Sequence, residues 1–544
     1  MHERLAENHD LKVETERRTL MQRIIVAFLV VLTANAICTA QATMKLPIEA
    51  VQEDSVADDT TKPPDDQQNS SEAPTMVAST QAQAAQAPTP ATAPNQEAQP
   101  EILPPQQEIA GRVSELPAIP VGPTNLRVGG YLGLTGLYRS TNSGGNTGTN
   151  FNSIPYKDTV QGNVNETRLS PQASRLSLRV DADLSEPNRA EKLRKLAGYF
   201  EMDFGGVTPG TVTLTSSSFG FRLRHAFMLA DFGDEGKFNL AAGQAFSLMT
   251  PPDGQLSIWP SDFELTQAVD TNYVAGLVWG RFPQVRATWL PSKKFSWAVS
   301  VENPEQQIGK SVIVEPLCCA ADLEGQYNSG NDELKVPNLR PDIVTRVAFD
   351  PVKFFHIDVG GVYRTFRHIV EPLDEDLDFR KTGVGASANL RFDLSESNKF
   401  ILQGSYGSGF GRYIGGLVPD VVFRSNSSIS PIRTWSWVGG IEQKVSKWTL
   451  GGYYSGLYTY RNVAVDTDGS FIGFGFPESS LSNNRFIQEG TLTASIKLWS
   501  AEDRGSMQLS MQGSYLQRQP WAPEPGLNSA KEPLVFAQIR YNLP

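Results

Sequence analysis

The strictest constraint in this chain is a period of two that recurs from about residue 126 to the C-terminus. In the run from Arg175 to Leu184, the residues Leu176, Leu178, Val180, Ala182 and Leu184 fall on one face. Arg175, Ser177, Arg179, Asp181 and Asp183 fall on the other. Residues 284–289 and 508–515 repeat the pattern. Strict alternation marks an extended strand with one apolar and one wet face. Sixteen such segments begin near Leu126, Ala173, Lys195, Phe219, Lys237, Gln284, Phe295, Asp342, Phe355, Thr382, Lys399, Arg433, Lys447, Phe486, Ser506 and Pro533.

The connections alternate as well. Short ones, such as 232–236, 291–294, 350–353, 393–398 and 500–505, take every second junction. Long Gly-, Asn- and Pro-rich ones fill the others: 141–172, 205–218, 247–283, 303–341, 367–381, 409–432, 460–485 and 517–532. Short turns opposite long loops, with an even strand number, describe a barrel of the bacterial outer membrane. The expected fold is all-β, a transmembrane antiparallel up-and-down β-barrel of about 16 strands. A soluble sandwich or propeller has no reason to set Arg, Gln and Ser against apolar faces throughout, or to tie loop length to strand parity.

Two segments precede the barrel. Arg17, Arg18 and Arg23 lie ahead of a short apolar run at 24–32, and Ala40-Gln41-Ala42 follows it, so residues 1–42 read as a secretory signal peptide. Residues 43–123 are rich in Ala, Gln, Pro, Thr and Glu and contain no aromatic residue. Such a segment buries too little apolar surface to offset its chain entropy and reads as a disordered periplasmic linker. The barrel domain is then 124–544.

Composition removes other classes. Beyond the N-terminus there is no run of about 20 apolar residues, which excludes a helical membrane protein. A balance of 48 Lys+Arg against 59 Asp+Glu, net -11, argues against a nucleic-acid partner. Three Cys exclude a disulfide scaffold and five His leave little scope for a multi-histidine metal site, so no metal or cofactor is expected. Cys318 and Cys319 are adjacent in a long loop and form a candidate vicinal disulfide in an oxidising compartment.

Barrels of 16–18 strands enclose an aqueous channel. Strand parity assigns Arg175, Arg179, Arg222, Arg224, Arg286, Arg346 and Arg391 to its lining. Guanidinium groups are always charged and fork towards carboxylates and phosphates. A lumen lined with them concentrates anions locally, whatever the net charge of the chain. Pairing with Asp181, Asp183, Glu201 and Asp203, which would merely brace the wall, is the competing reading. Residues 247–283, with Trp259, Asp262, Glu264 and Asp270, form either an inward constriction loop or an extracellular lid. His225 shares parity with Phe221, Leu223 and Phe227, a face expected towards lipid, which suggests a subunit interface or a shifted register. Tyr453, Tyr454, Tyr458, Tyr460, Trp435, Trp437 and Trp448 read as interfacial girdles.

These features predict a passive diffusion channel for small hydrophilic solutes with a preference for anionic organic acids. Its surroundings would be membrane lipids and lipopolysaccharide. Two alternatives stand beside it. One is an outer-membrane lipase- or protease-like barrel, for which His225, His356 and His368 stand in no recognisable nucleophile motif. The other is a structural or adhesive barrel tethered to the cell wall through 43–123.

The motifs Ser174-Arg-Leu-Ser-Leu-Arg179, Phe221-Arg-Leu-Arg-His-Ala-Phe-Met228 and Asn239-Leu-Ala-Ala-Gly-Gln244 resemble those of the DcaP-like outer-membrane porins. So do Pro283-Gln-Val-Arg286 and the terminal Arg540-Tyr-Asn-Leu-Pro544. The resemblance covers roughly residues 126–544. It implies homotrimers of 16-stranded barrels that admit dicarboxylic and aromatic acids, with an N-terminal extension in the periplasm. Two features depart from that pattern: family extensions tend to be helical where 43–123 is Pro- and Ala-rich, and the chain ends in Pro544 where barrel-assembly signals usually end in Phe or Trp.

Overall fold

A computed structural model describes residues 118–184, 193–206, 219–233, 237–252, 259–260, 267–309, 312–318, 326–327, 340–370, 378–501 and 504–543. The expected signal peptide and most of the linker lie outside these residues, as do Asp262, Glu264 and Cys319.

Among the described residues, sixteen antiparallel strands close into one barrel. They are β1 (Thr124–Arg139), β2 (Arg175–Asp183), β3 (Leu193–Gly206), β4 (Gly220–Phe232), β5 (Phe238–Phe246), β6 (Arg281–Ser292), β7 (Phe295–Glu302) and β8 (Asp342–Val352). There follow β9 (Phe355–Ile369), β10 (Asp378–Ser395), β11 (Asn398–Ser408), β12 (Arg433–Val445), β13 (Trp448–Thr459), β14 (Asn484–Ala501), β15 (Gly505–Pro520) and β16 (Ala530–Asn542). Each pairs with its neighbours in sequence. β1 closes the ring by pairing with β16 from Tyr131↔Asn542 to Arg139↔Leu534, and with β2 from Thr124↔Ala182 to Tyr131↔Arg175. Closure matters because lipid offers no partner to a free strand edge.

The pleat sorts side chains as the alternation requires. Arg175, Ser177, Arg179 and Asp181 are buried inward on β2, while Leu132, Leu492 and Val535 stand outward, 61%, 72% and 54% exposed. Outward apolar residues at this level of exposure recur around the barrel. That would be costly in water and is favourable in hydrocarbon.

The long connections do not simply project into solvent. Phe151, Ile154 and Tyr156 of the first loop cluster with Leu248 and Met249, with Ile308 and Ile313, and with Tyr413, Val421, Val422 and Phe423. This cluster packs on inward wall residues, among them Val344, Val362, Phe366, Leu457, Ile487 and Leu516. Two small hairpins, Val421–Phe423 with Ile429–Pro431 and Asn462–Val465 with Phe471–Phe474, stiffen it. Strand number alone predicts a lumen lined only by polar wall. The structure corrects this: near the long-loop end, apolar loop side chains cover part of the inner wall and bury one another.

Candidate pore and constriction loop

All seven arginines singled out by parity sit on the inner wall, and each has polar partners. Arg179 makes a forked pair with Asp181, 2.9 Å through both Nε and Nη2, and its guanidinium lies 3.9 Å from the Trp259 ring centre. Arg127 and Lys195 reach the same carboxylate at 2.6 and 3.4 Å. Arg224 bridges Glu201 at 2.6 Å and Asp203 at 2.9 Å, and Arg222 forks onto Asp203 at 2.9 and 2.7 Å. Arg175 is 3.7 Å from Glu201, and Arg391 is 2.9 Å from Asp393. Bracing of the wall is therefore real. It does not cancel the charge locally. On the wall of β16 and β1–β4, the guanidiniums of Arg127, Arg139, Arg175, Arg179, Arg222, Arg224 and Arg540, with the Lys195 ammonium, outnumber the carboxylates of Asp181, Asp183, Glu201, Asp203, Asp231 and Glu532 by eight to six among the described residues.

Arg286 and Arg346 do something different. Arg286 donates to the Phe246 carbonyl at 2.6 Å and to Gln284 Oε1 at 3.1 Å. Arg346 donates to the Leu248 carbonyl at 2.5 Å and to that of Met249, and also pairs with Asp358. Glu302 accepts the Leu248 N–H at 2.8 Å. These three wall side chains grip the root of the connection between β5 and β6.

That connection then crosses the lumen. Tyr453 on β13 accepts from the Gln267 N–H at 2.7 Å through its hydroxyl, which itself donates to Glu442 at 2.7 Å. Gln512 on β15 accepts from the Val269 and Asp270 N–H groups at 2.6 and 3.0 Å, and Glu489 on β14 from Ala275 at 2.9 Å. β13 stands eight strands from β5, the far side of a sixteen-stranded ring. The loop is thus a constriction element, not a lid. Asp270 is buried, accepts from the Thr149 N–H at 3.1 and 3.2 Å, and links this loop to the first. Burial pushes its carboxyl up from the ordinary range, against the lowering effect of those hydrogen bonds and of Arg139.

Two single-residue expectations change. His225 faces inward and packs against Phe246, its ring centre 4.9 Å away. Pairing runs Glu201↔His225 and then Met202↔Leu223, so Arg224 is an extra residue in a β-bulge. Beyond it parity inverts: Phe221 and Leu223 are exposed, whereas Phe227 is buried under Trp259 at 6.0 Å. Tyr453, assigned to the outer girdle with its neighbours, is instead a lumen anchor. Trp435, Trp437, Tyr458 and Phe486 do cluster on the outer face, with the two Trp rings 4.7 Å apart. Cys318 Sγ lies 3.6 Å from Ser427 Oγ, and the vicinal pairing with Cys319 falls outside the described residues.

One hub escaped the sequence reading. Arg364 on β9 reaches Asp342 at 3.0 Å and Asp420 at 2.9 Å, and it donates to the carbonyls of Gly409 and Glu305 at 2.7 and 2.6 Å. It ties two long loops to the wall. Its parity with Val362 and Phe366 placed it inside, but apolar neighbours on the same face hid the signal.

A closed ring of sixteen strands, apolar outside and polar inside, with a loop pinned across its lumen, defines a transmembrane barrel of the porin type. It is a multi-pass protein of the bacterial outer membrane. Solved structures of outer-membrane channels are similar to this chain. The outer membrane channel DcaP of Acinetobacter baumannii matches with a TM-score of 0.53 at 14% identity, over 77% of this chain and 97% of that one. An anion-selective porin from Comamonas acidovorans gives 0.45 at 12%, over 77% and 100%. Salmonella typhi OmpF in complex with daunomycin gives 0.42 at 8%, over 78% and 100%. No family model and no curated protein matches the chain.

Proposed function

We propose that the chain is a passive diffusion channel for small hydrophilic solutes that prefers anionic organic acids, dicarboxylates and aromatic acids among them. The observation that carries this reading is the local excess of guanidinium on the β16 and β1–β4 wall, beside a loop that narrows the lumen. In a narrow water-filled lumen with low-dielectric walls, such an excess acts on solutes within a Debye length, about 8–10 Å at physiological salt. The fold shared with the DcaP channel supports the same reading. Against catalysis stands His356, whose two ring nitrogens both face carboxylates, Asp350 and Asp358, and not a hydroxyl nucleophile.

We read residues 1–42 as the export signal, 43–123 as a periplasmic linker and the working assembly as a homotrimer with lipid and lipopolysaccharide around it. The support for the trimer is the motif resemblance, and the mass of the detergent-solubilised particle tests it. The channel reading is tested by reversal potentials of the purified protein in planar bilayers under a KCl gradient. A potential on the anion side is expected, and an ideal cation-side potential would defeat the reading.

A further inference from the structure

The outer face of the barrel carries a recess that the channel function does not use. It lies on the long-loop side of β8–β10, has a volume of about 260 Å³, and is lined on its outward side by Arg340, Arg367 and Arg380 with Tyr363, Thr365 and Thr382, while Lys381 and its cross-strand partner Phe366 border it from the inward face. Its orientation follows from strand parity. Tyr363 on β9 and Val384 on β10 are 42% and 52% exposed, and Thr365, Arg367, Thr382 and Arg380 continue their faces upward. His368, Arg364 and Phe366 take the alternate, inward positions and are buried.

The vertical order of side chains is that of a bilayer boundary. Val359 and Tyr363, outward on β9, and Ile343, outward on β8, are apolar or aromatic and exposed. One step above come two threonine hydroxyls, and one step further two guanidiniums. At about 3.3 Å per residue and a tilt near 40°, the arginines sit about 10 Å above the Tyr363 level, at headgroup depth. Asp378 holds both heads in place, accepting from Arg367 Nε and Nη2 at 3.0 and 3.1 Å and from Arg380 Nη2 and Nε at 2.6 and 3.3 Å. A guanidinium has five N–H donors, so each keeps three outside that carboxylate. Three guanidiniums, of Arg340, Arg367 and Arg380, around one carboxylate leave the outward side of the recess positive among the described residues.

We propose that this recess binds a phosphorylated glycolipid of the outer leaflet, its phosphate on Arg340, Arg367 and Arg380 and its acyl chains along Tyr363, Val384 and Ile343. Forked guanidiniums suit a phosphate, and the exposed apolar strip directly below suits a lipid and not a free anion. The assignment rests on the outer-membrane placement and is independent of whether the lumen conducts.

The test uses the full chain in detergent, titrated with diphosphoryl lipid A and followed by native mass spectrometry. Parallel titrations use dephosphorylated lipid A and inorganic phosphate. The double variant Arg367→Gln, Arg380→Gln should bind diphosphoryl lipid A at least tenfold more weakly, with conductance unchanged. The periplasmic control Lys294→Gln should bind it as the parent does. Heat-modifiable mobility on gels reports folding, and if the double variant fails to fold, Arg340→Gln alone should weaken binding about threefold. Undiminished binding by the variants overturns the assignment, as does equal binding of the dephosphorylated lipid. So does displacement by inorganic phosphate at the lipid's own concentration. Residues 371–377 lie outside the described residues and carry Glu371, Asp374, Glu375 and Asp376. Binding that persists in the variants and is stripped by EDTA would assign the lipid to a metal bridge on those carboxylates, and would also overturn the proposal.

Discussion

Gly276 is the point at which the constriction loop can be released without touching the barrel. It lies one residue past the Glu489 anchor, at φ +85°, against Gly456 of β13. A Cβ there would stand 2.1 Å from the Gly456 carbonyl oxygen and 2.7 Å from its carbon. Both atoms are backbone in the middle of the wall and cannot yield. Gly276→Ala therefore adds the left-handed cost of an L-residue, about 1–2 kcal/mol, and an overlap cost of about 1–3 kcal/mol. Four backbone N–H groups of the docked loop donate to the wall on this side, at Gln267, Val269, Asp270 and Ala275, each bond worth about 0.5–1.5 kcal/mol net. Strain of about 2–5 kcal/mol is thus comparable with the roughly 2–6 kcal/mol that these four bonds contribute to docking. Since about 1.4 kcal/mol is tenfold in a population, an undocked state should become visible. Single-channel recordings should show a larger mean conductance with frequent transitions, while heat-modifiability stays that of the parent. Gly526→Ala is the control: its φ is +80° and nothing lies within 4 Å of the added Cβ, so it carries the backbone cost without the overlap. Traces of Gly276→Ala that cannot be told from those of Gly526→Ala would refute the idea that contact with β13 holds the constriction.

Arg222→Ser should shift the reversal potential towards cations with little loss of stability, because its side chain is 39% exposed. Adding Arg224→Ser should shift it further and lower thermal stability, since a buried carboxylate left without its partner costs about 3–5 kcal/mol; an unmoved potential rejects both arginines as guides. Asp270 supplies a pH dependence. Its folded value is raised, so its contribution to docking is complete below the ordinary carboxylate range, about 3.9, and is lost as pH rises through the raised value. Arg139 on β1, Glu489 on β14 and Glu532 on β16 face it and set the local field. Current noise should grow as pH is raised from acid, and Asp270→Asn should remove that growth; an identical profile in the variant excludes Asp270. Deleting residues 43–117 should leave folding and conductance intact, because the ring closes through Thr124–Arg139 and Ala530–Asn542 alone, and loss of the heat-modifiable form would contradict this.

The strands were legible because each obeys one rule throughout: hydrocarbon outside, polar groups inside. Phe295, Asp342, Phe355 and Arg433 begin strands where the alternation places them, and Thr382, four residues inside β10, departs as much as any. The rule fails where the inner side stops being water. Beneath the constriction loop, Phe227, Tyr199 and Ala245 pack against Trp259, so β4 is apolar on both faces there. With no polar face to count, the bulge at Arg224 left no trace in the alternation, and His225 read as lipid-facing. The same reasoning explains Tyr453 and Arg364. Each lies among apolar neighbours because a loop covers it, and each carries a polar tip because that loop's backbone or carboxylates need a partner. The bulge also has a consequence for the pore. It turns two consecutive residues, Arg224 and His225, into the lumen at the level where Arg224 must reach both Glu201 and Asp203. A strictly alternating strand would have put one of the pair in lipid, where a charge costs about 2–4 kcal/mol at mid-depth. The irregularity is thus how the wall brings a guanidinium to two carboxylates and, in the next residue, an aromatic ring to the root of the loop.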